Sequence, residues 1–287
     1  MTDIYYILTV ATSVWRTVTS CLPHSQIQDI SEPVIKREHG HAYWARKYML
    51  DETKPKRRIV DPALFGRDRD WESLIMNGKC EWFCVMMERI IRERVQVLLG
   101  PDADARWVMC KPKPISTLAE DSDDKDYLEY HSVIEVTLTD KSKWIFDGTI
   151  PQYGYPLDGF WLLESYVYEA RHTLPVAGRH FWEPKPEQRT RAKITFAKAD
   201  DDYWCTAKTY LQVLMKQLEW SGLSTCAQSE IADMVERQAM DDFGFGILSH
   251  QSTSSARKRK LESADDDRHI STRPPPFPSN HTISRKL

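Results

Sequence analysis

Residues 131–147 read HSVIEVTLTDKSKWIFD, the clearest strand pattern in the chain. Both ends of this stretch are rich in β-branched and aromatic residues, which favour strands, and the polar TDKS segment between them favours a turn. We therefore predict a β-hairpin with strands at residues 131–138 and 143–147. Paired antiparallel strands lie about 5 Å apart. His131 and Asp147 should therefore lie close together at the open end of the hairpin.

A helical pattern begins at Cys80. Over residues 80–99, apolar side chains recur at steps of three and four, the spacing of one helix face. These side chains are Phe83, Met86, Met87, Ile90, Ile91, Val95 and Leu98. The dipeptides Asn77-Gly78 and Gly100-Pro101 mark the two ends. We predict a helix over residues 80–99 with Cys80 in its first turn.

The helix and the hairpin supply three residue types that do chemistry as a group. A thiolate is the nucleophilic form of cysteine, and the unpaired amides and dipole of a helix N-terminus lower the pKa of a thiol. An imidazole beside Cys80 would accept its proton, and a carboxylate behind the ring would orient it. We therefore predict Cys80 as a nucleophile, His131 as its general base and Asp147 as the group that orients the base.

Three short motifs carry a resemblance to a known family. They are Asn77-Gly78-Lys79-Cys80 at a helix start, His131-Ser132-Val133-Ile134-Glu135-Val136 on a strand, and Trp144-Ile145-Phe146-Asp147-Gly148-Thr149. In this order, over about residues 71–155, they resemble the core of the transglutaminase-like superfamily. That superfamily includes transglutaminases, peptide N-glycanases, cysteine proteases and structural members that have lost the triad.

The resemblance implies a papain-like α+β fold. In such a fold the helix that carries the nucleophile packs on an antiparallel β-sheet, and extra helices surround this core. The resemblance also implies a catalytic triad of the same cysteine, histidine and aspartate, with no metal and no organic cofactor. It does not specify one activity, because one fold hosts many. Trp71, Trp82 and Asn77 are candidates for the oxyanion donor only because they lie near Cys80 in sequence.

Composition divides the chain of 287 residues into two parts. We predict residues 1–245 as the domain and residues 246–287 as a disordered tail, because the tail is poor in apolar residues and rich in charge, serine and proline. Its basic run, Arg257-Lys258-Arg259-Lys260, is either a nuclear import signal or part of a solvated tail. The net charge of -3 argues against nucleic acid as a partner.

Three features bear on the compartment. No stretch approaches the 18 or so consecutive apolar residues of a membrane-spanning helix, so we predict no membrane partner. Residues 4–21 lack the basic start of a signal peptide and predict a packed helix. The six cysteines contain no CxxC pair and are predicted to be thiols. Together these features indicate the cytoplasm or the nucleus.

Local patterns predict the remaining elements. Strands are expected at residues 105–110 and 192–196. Helices are expected at residues 70–76, 200–219 and 224–240, the last with Ser224 as its N-cap. We expect residues 26–62 to be irregular with one short helix at residues 42–48, and residues 118–126 to be an acidic loop.

The predicted function is acyl transfer through a Cys80 thioester. The substrate would be an amide- or acyl-bearing small molecule or peptide, and the reaction an amide hydrolysis, a transamidation or the formation of an amide or ester. The acyl acceptor and the oligomeric state are left open.

Three alternatives remain. The chain could be a catalytically silent papain-like module that binds partners. It could bind nucleic acid through the basic residues 54–58 and the tail. A zinc site of Cys80, Cys84 and His131 would need a fourth ligand. Cys84, one turn after Cys80, is predicted to pack in the core.

Overall fold

The structure is a computed structural model in which Met1–Phe245 forms one compact unit. The residues that it describes are 2–20, 26–38, 40–51, 53, 73–121, 130–156, 160–169, 180–198, 201–217, 230, 233–234 and 237. The predicted tail at residues 246–287 and the basic residues 54–58 lie outside this part of the chain.

The fold is of the mixed α+β class, as predicted. The helices are α1 (Thr2–Ser20), α2 (Cys80–Leu99), α3 (Leu163–Glu169), α4 (Pro186–Lys198) and α5 (Asp201–Gln217). The strands are β1 (Gln26–Ile30), β2 (Val34–Glu38), β3 (His41–Asp51), β4 (Asp104–Cys110), β5 (Ser116–Glu120), β6 (His131–Thr137), β7 (Lys143–Phe146) and β8 (Phe160–Leu162). A short 3-10 helix, Ile150–Tyr153, follows β7.

The predicted hairpin is confirmed and lies in the middle of a sheet. The strand order is β4-β6-β7-β8, and all three pairings are antiparallel. The register pairs Thr137 with Lys143 and Ile134 with Phe146. The strands predicted at residues 131–138 and 143–147 are each one residue shorter in the structure. The strand predicted at residues 105–110 is β4.

Helix α2 has the predicted bounds and packs against both the sheet and other helices. It contacts β4 and β6 of the sheet and the helices α1, α4 and α5. Its apolar face is buried from Phe83 to Val95, as the periodicity predicted, and Cys84 is buried with it. Leu98, predicted on the same face, is 37% exposed. The ring of Phe83 packs edge-on against that of Phe146, at 5.0 Å between centroids. This contact fixes the start of α2 against the end of β7.

Helix α1 confirms the packed helix predicted at residues 4–21. Its aliphatic side chains from Ile4 to Val18 and the ring of Trp15 are almost completely buried. No helix in the described residues is long and apolar enough to cross a membrane. The helix predicted at residues 200–219 is α5.

The prediction for residues 26–62 is wrong where the structure describes them. In place of an irregular segment, β1 and β2 pair antiparallel with β3, and residues 42–48 form part of β3 rather than a helix. Tyr43 and Ala45 are buried while Trp44 between them is exposed, which is the alternation of a strand. β1 and β2 lie in the same segment, and its polar, charge-rich composition concealed the strands.

Two further predictions need correction. The acidic loop predicted at residues 118–126 is a strand as far as Glu120, because β5 pairs in parallel with β3. The strand predicted at residues 192–196 is part of α4. Ala192 and Phe196, four residues apart, are buried, whereas Ile194 between them is exposed. That spacing fits one face of a helix, and the β-branched residues had suggested a strand.

Two predicted helices fall partly on residues that the structure does not describe. Of residues 70–76, residues 73–76 are helical. In the segment predicted as a helix at residues 224–240, the described positions 230, 233, 234 and 237 are helical. Ser224 lies outside the described residues.

Candidate active site

Cys80 is the first residue of α2, as predicted. The chain turns sharply before it: Gly78 has a φ of 65°, a conformation that glycine adopts without strain. The Lys79 amide donates to the carbonyl of Met76 at 3.1 Å, and the Phe83 amide donates to the carbonyl of Lys79 at 2.8 Å. The Cys80 side chain is half-buried at this helix start.

His131 and Asp147 form the pair that the hairpin predicted. The register of β6 and β7 ends with Phe146 opposite Ile134. Continued by one residue, it puts Asp147 opposite Val133, two residues from His131. The two side chains are therefore diagonal neighbours on adjacent strands. Nε2 of His131 lies 2.6 Å from Oδ2 of Asp147, and both side chains are 0% exposed. A buried pair at this distance holds the ring in one orientation.

Nδ1, the ring nitrogen of His131 that does not face Asp147, is the atom that can interact with Cys80. Nδ1 is buried, and no atom of the described residues meets hydrogen-bond geometry with it. Cys80 is nevertheless close enough for its charge to act on the ring. A loose contact of this kind is common in an unliganded site and tightens when substrate binds. The structure thus brings the three predicted residues together in the order Cys80, His131, Asp147.

The environment of His131 favours its protonated form. Burial by itself would lower the pKa of the imidazole. The charge and hydrogen bond of Asp147, helped by Cys80, outweigh burial and raise the pKa from 6.5 to about 9. An imidazolium beside the sulfur stabilises a thiolate. His131 is therefore placed to hold a proton beside the Cys80 sulfur.

Asp147 accepts four hydrogen bonds. Oδ2 accepts from Nε2 of His131 and from the hydroxyl of Tyr166, the latter at 2.8 Å. Oδ1 accepts from the amide and the hydroxyl of Thr149, at 3.1 and 3.3 Å. A fully buried carboxylate needs such donors to remain charged. No local pattern in the sequence separates Tyr166 from the aromatic residues of the core, so its part in the site was not predicted.

A buried tyrosine and a buried thiol adjoin the site. The ring of Tyr153 meets the ring of His131 edge-on, at 4.8 Å between centroids. Burial, together with the negative charges of Cys80 and Asp147, raises the pKa of Tyr153 well above its usual value. Burial likewise raises the pKa of Cys84, one turn along α2. Both groups are therefore neutral at physiological pH, and Cys84 packs in the core as predicted.

Helix α1 braces the turn that carries Asp147. Nε1 of Trp15 donates to the carbonyl of Gly148 at 2.8 Å. A Cβ atom at Gly148 would overlap the ring of Phe83 and come within 2.9 Å of Cδ1 of Trp15. Only glycine fits at this position. The sequence pattern predicted α1 as a packed helix and did not indicate that it contacts the site.

The described residues contain no group of three His, Cys, Asp or Glu side chains that could hold a metal ion. The structure describes two of the three residues predicted as candidates for the oxyanion donor. Trp82 packs edge-on against Phe196 at 6.1 Å between centroids. Asn77 lies in the turn before Cys80, and Trp71 lies outside the described residues.

Comparisons of the chain with protein-family models, curated proteins and solved structures find no match.

Proposed function

We propose that the protein is a cysteine-nucleophile acyl-transfer enzyme built on a papain-like core of the transglutaminase type. The observation that carries the proposal is the arrangement of three side chains. Cys80 begins a helix next to buried His131, whose Nε2 lies 2.6 Å from Asp147. A helix packed on an antiparallel sheet, with the histidine and aspartate at one end of a hairpin, is consistent with that core.

Each group has one task in the proposed reaction. The Cys80 sulfur attacks the carbonyl carbon of an amide or ester, and its proton passes to Nδ1 of His131. His131 then returns that proton to the leaving amine or alcohol as the C–N or C–O bond breaks, which leaves a thioester. Water or an amine then attacks the thioester and gives its proton to His131. The C–S bond breaks, the product leaves, and His131 passes that proton to the Cys80 sulfur. The Cys80 thiol is thereby restored.

The oxyanion of each tetrahedral intermediate needs hydrogen-bond donors. The Phe83 amide already donates to the carbonyl of Lys79. The amides of Cys80 and Glu81 precede it and point out of the helix start. Amides in this position stabilise a developing negative charge, and the helix dipole adds to their effect. We assign them to the substrate oxygen.

The first test is the pH dependence of iodoacetamide labelling at Cys80, measured by mass spectrometry. We expect the apparent pKa of the Cys80 thiol to lie well below 8.5, the ordinary value of a free thiol, and to rise in His131→Ala. The matched control is His41→Ala, because the His41 ring bonds the carbonyl of Pro114 at 2.6 Å, outside the site. That variant should label like the wild type.

A second experiment traps the thioester. Incubation with activated amides and esters should add an acyl mass to Cys80, and hydroxylamine should remove it. Cys80→Ala should lose all turnover. If Cys80 labels with an ordinary thiol profile and no acyl mass appears, the proposal is wrong, and a non-catalytic partner-binding module becomes the better description.

A further inference from the structure

Tyr166 contacts the site from an element outside the hairpin. It lies on α3, is 0% exposed, and its hydroxyl is 2.8 Å from the Asp147 oxygen that also faces His131. The same hydroxyl lies 3.9 Å from Sγ of Cys110. A tyrosine has one hydroxyl proton to donate. Because Asp147 takes that proton, the Cys110 thiol must be the donor in the second contact.

Tyr166 keeps the hydroxyl proton that it donates to Asp147. Burial and the nearby charge of Asp147 raise its pKa well above the usual value, so the phenol stays protonated. In the described part of the chain, the titratable groups that face the pair of His131 and Asp147 from other elements are Cys80, Cys84, Cys110 and Tyr153. None of them donates to Oδ2 of Asp147. In the described residues, the hydroxyl of Tyr166 is the one donor that competes with His131 for this oxygen.

We propose that Tyr166 is a positioning residue that moderates the attraction of Asp147 for His131, so that the ring accepts the proton of Cys80 and then returns it to the leaving group. This inference rests on the proposed acyl-transfer function. The physical reason is the sharing of one oxygen. A second donor on Oδ2 compensates part of the carboxylate charge and weakens its hold on the protonated ring.

The variant Tyr166→Phe removes the hydroxyl and keeps the ring. Oδ2 then has His131 as its single donor, so the protonated ring is held more strongly and returns its proton less readily. We expect the titration midpoint of His131 to rise by about one pH unit, the effect of one hydrogen bond to a charged group. We also expect kcat to fall about tenfold with KM little changed.

A merely structural role predicts the opposite direction. If loss of the hydroxyl only loosened the packing, water would reach the ring and weaken its bond to Asp147. The midpoint of His131 would then fall from about 9 towards its ordinary value of 6.5. The direction of the change therefore separates the two explanations.

The experiment is a ¹⁵N NMR titration of the His131 ring in the full-length chain, with the signal assigned from the His131→Gln variant. The matched control is Tyr155→Phe, because the Tyr155 hydroxyl donates to the carbonyl of Lys113 at 2.7 Å and packs against the same core. It should leave the midpoint unchanged. An unchanged or lowered midpoint in Tyr166→Phe overturns the inference.

A second perturbation covers the case in which Tyr166→Phe does not fold. Replacing Tyr166 by 3-fluorotyrosine keeps the hydroxyl and makes it a stronger donor, so the midpoint of His131 should fall, and a midpoint that does not fall overturns the inference. The wild-type data show whether a failed test refutes the role of Tyr166 alone or the proposed function as well. A low apparent pKa at Cys80 with no response to either change refutes the role of Tyr166 alone. An ordinary His131 and an ordinary Cys80 thiol refute both proposals.

Discussion

The substitution Asp147→Asn removes one charge and keeps the shape of the side chain. In the wild type, burial alone would lower the pKa of His131, and chiefly the carboxylate at 2.6 Å raises it to about 9. Without that charge, burial should prevail, so we expect the pKa of His131 to fall below 6.5. A fall from 9 to 6.5 corresponds to about 3 kcal/mol of lost stabilisation of the protonated ring.

The substitution also removes the acceptor from the donors on one of the two carboxylate oxygens. Oδ1 accepts from the amide and hydroxyl of Thr149, and Oδ2 accepts from His131 and Tyr166. An asparagine presents an NH₂ group to one of these two pairs of donors. A buried amide left without an acceptor costs about 1–3 kcal/mol. The variant should therefore also unfold at a lower urea concentration.

The assay pairs NMR titration of His131 with the pH dependence of Cys80 alkylation. In Asp147→Asn the alkylation profile should move to higher pH, because the thiolate loses its imidazolium partner near neutrality. The control is Asp140→Asn, which removes an exposed carboxylate that accepts from the amide of Ser142 in the turn of the same hairpin. If His131 of a folded Asp147→Asn protein still titrates near 9, the carboxylate is not the cause and the reasoning fails.

Three further predictions concern the support of the site and its response to pH. Gly148→Ala should destabilise the fold by about 2 kcal/mol, because the new methyl group overlaps the Phe83 ring; an unchanged urea midpoint would contradict the packing described. Glu135→Gln should cost about 1–2 kcal/mol, because the buried carboxylate accepts from Arg106 at 2.7 Å while that cation stays partly hydrated. Its unfolding should also become less sensitive to salt, and an equal salt response in both proteins would refute the pairing. The raised pKa of His131 stabilises the fold fully below pH 6.5, and this contribution is lost as the pH rises through about 9. The free energy of unfolding should therefore fall more steeply between these values in the wild type than in His131→Gln, and parallel curves would exclude the linkage.

Elements with strong local patterns were predicted well. The periodic face of residues 80–99 and the glycines on both sides gave the bounds of α2. The hairpin followed from its strand composition and polar turn. Predictions failed where pairing and packing outweigh local composition. Residues 42–48 form a strand because the neighbouring β1 and β2 and the distant β5 pair with them. Phe196 lies in a helix that packs on α2.

The site shows the same division. Local sequence determined which residue begins the helix, which residues end the hairpin strands, and hence that a thiol, an imidazole and a carboxylate would stand at the ends of neighbouring elements. Only the tertiary structure decided that Tyr166 would share an oxygen of Asp147 with His131, that α1 would brace Gly148, and that His131 would be fully buried. These contacts join positions far apart in the chain, and their strength depends on the exclusion of water, which no local pattern encodes.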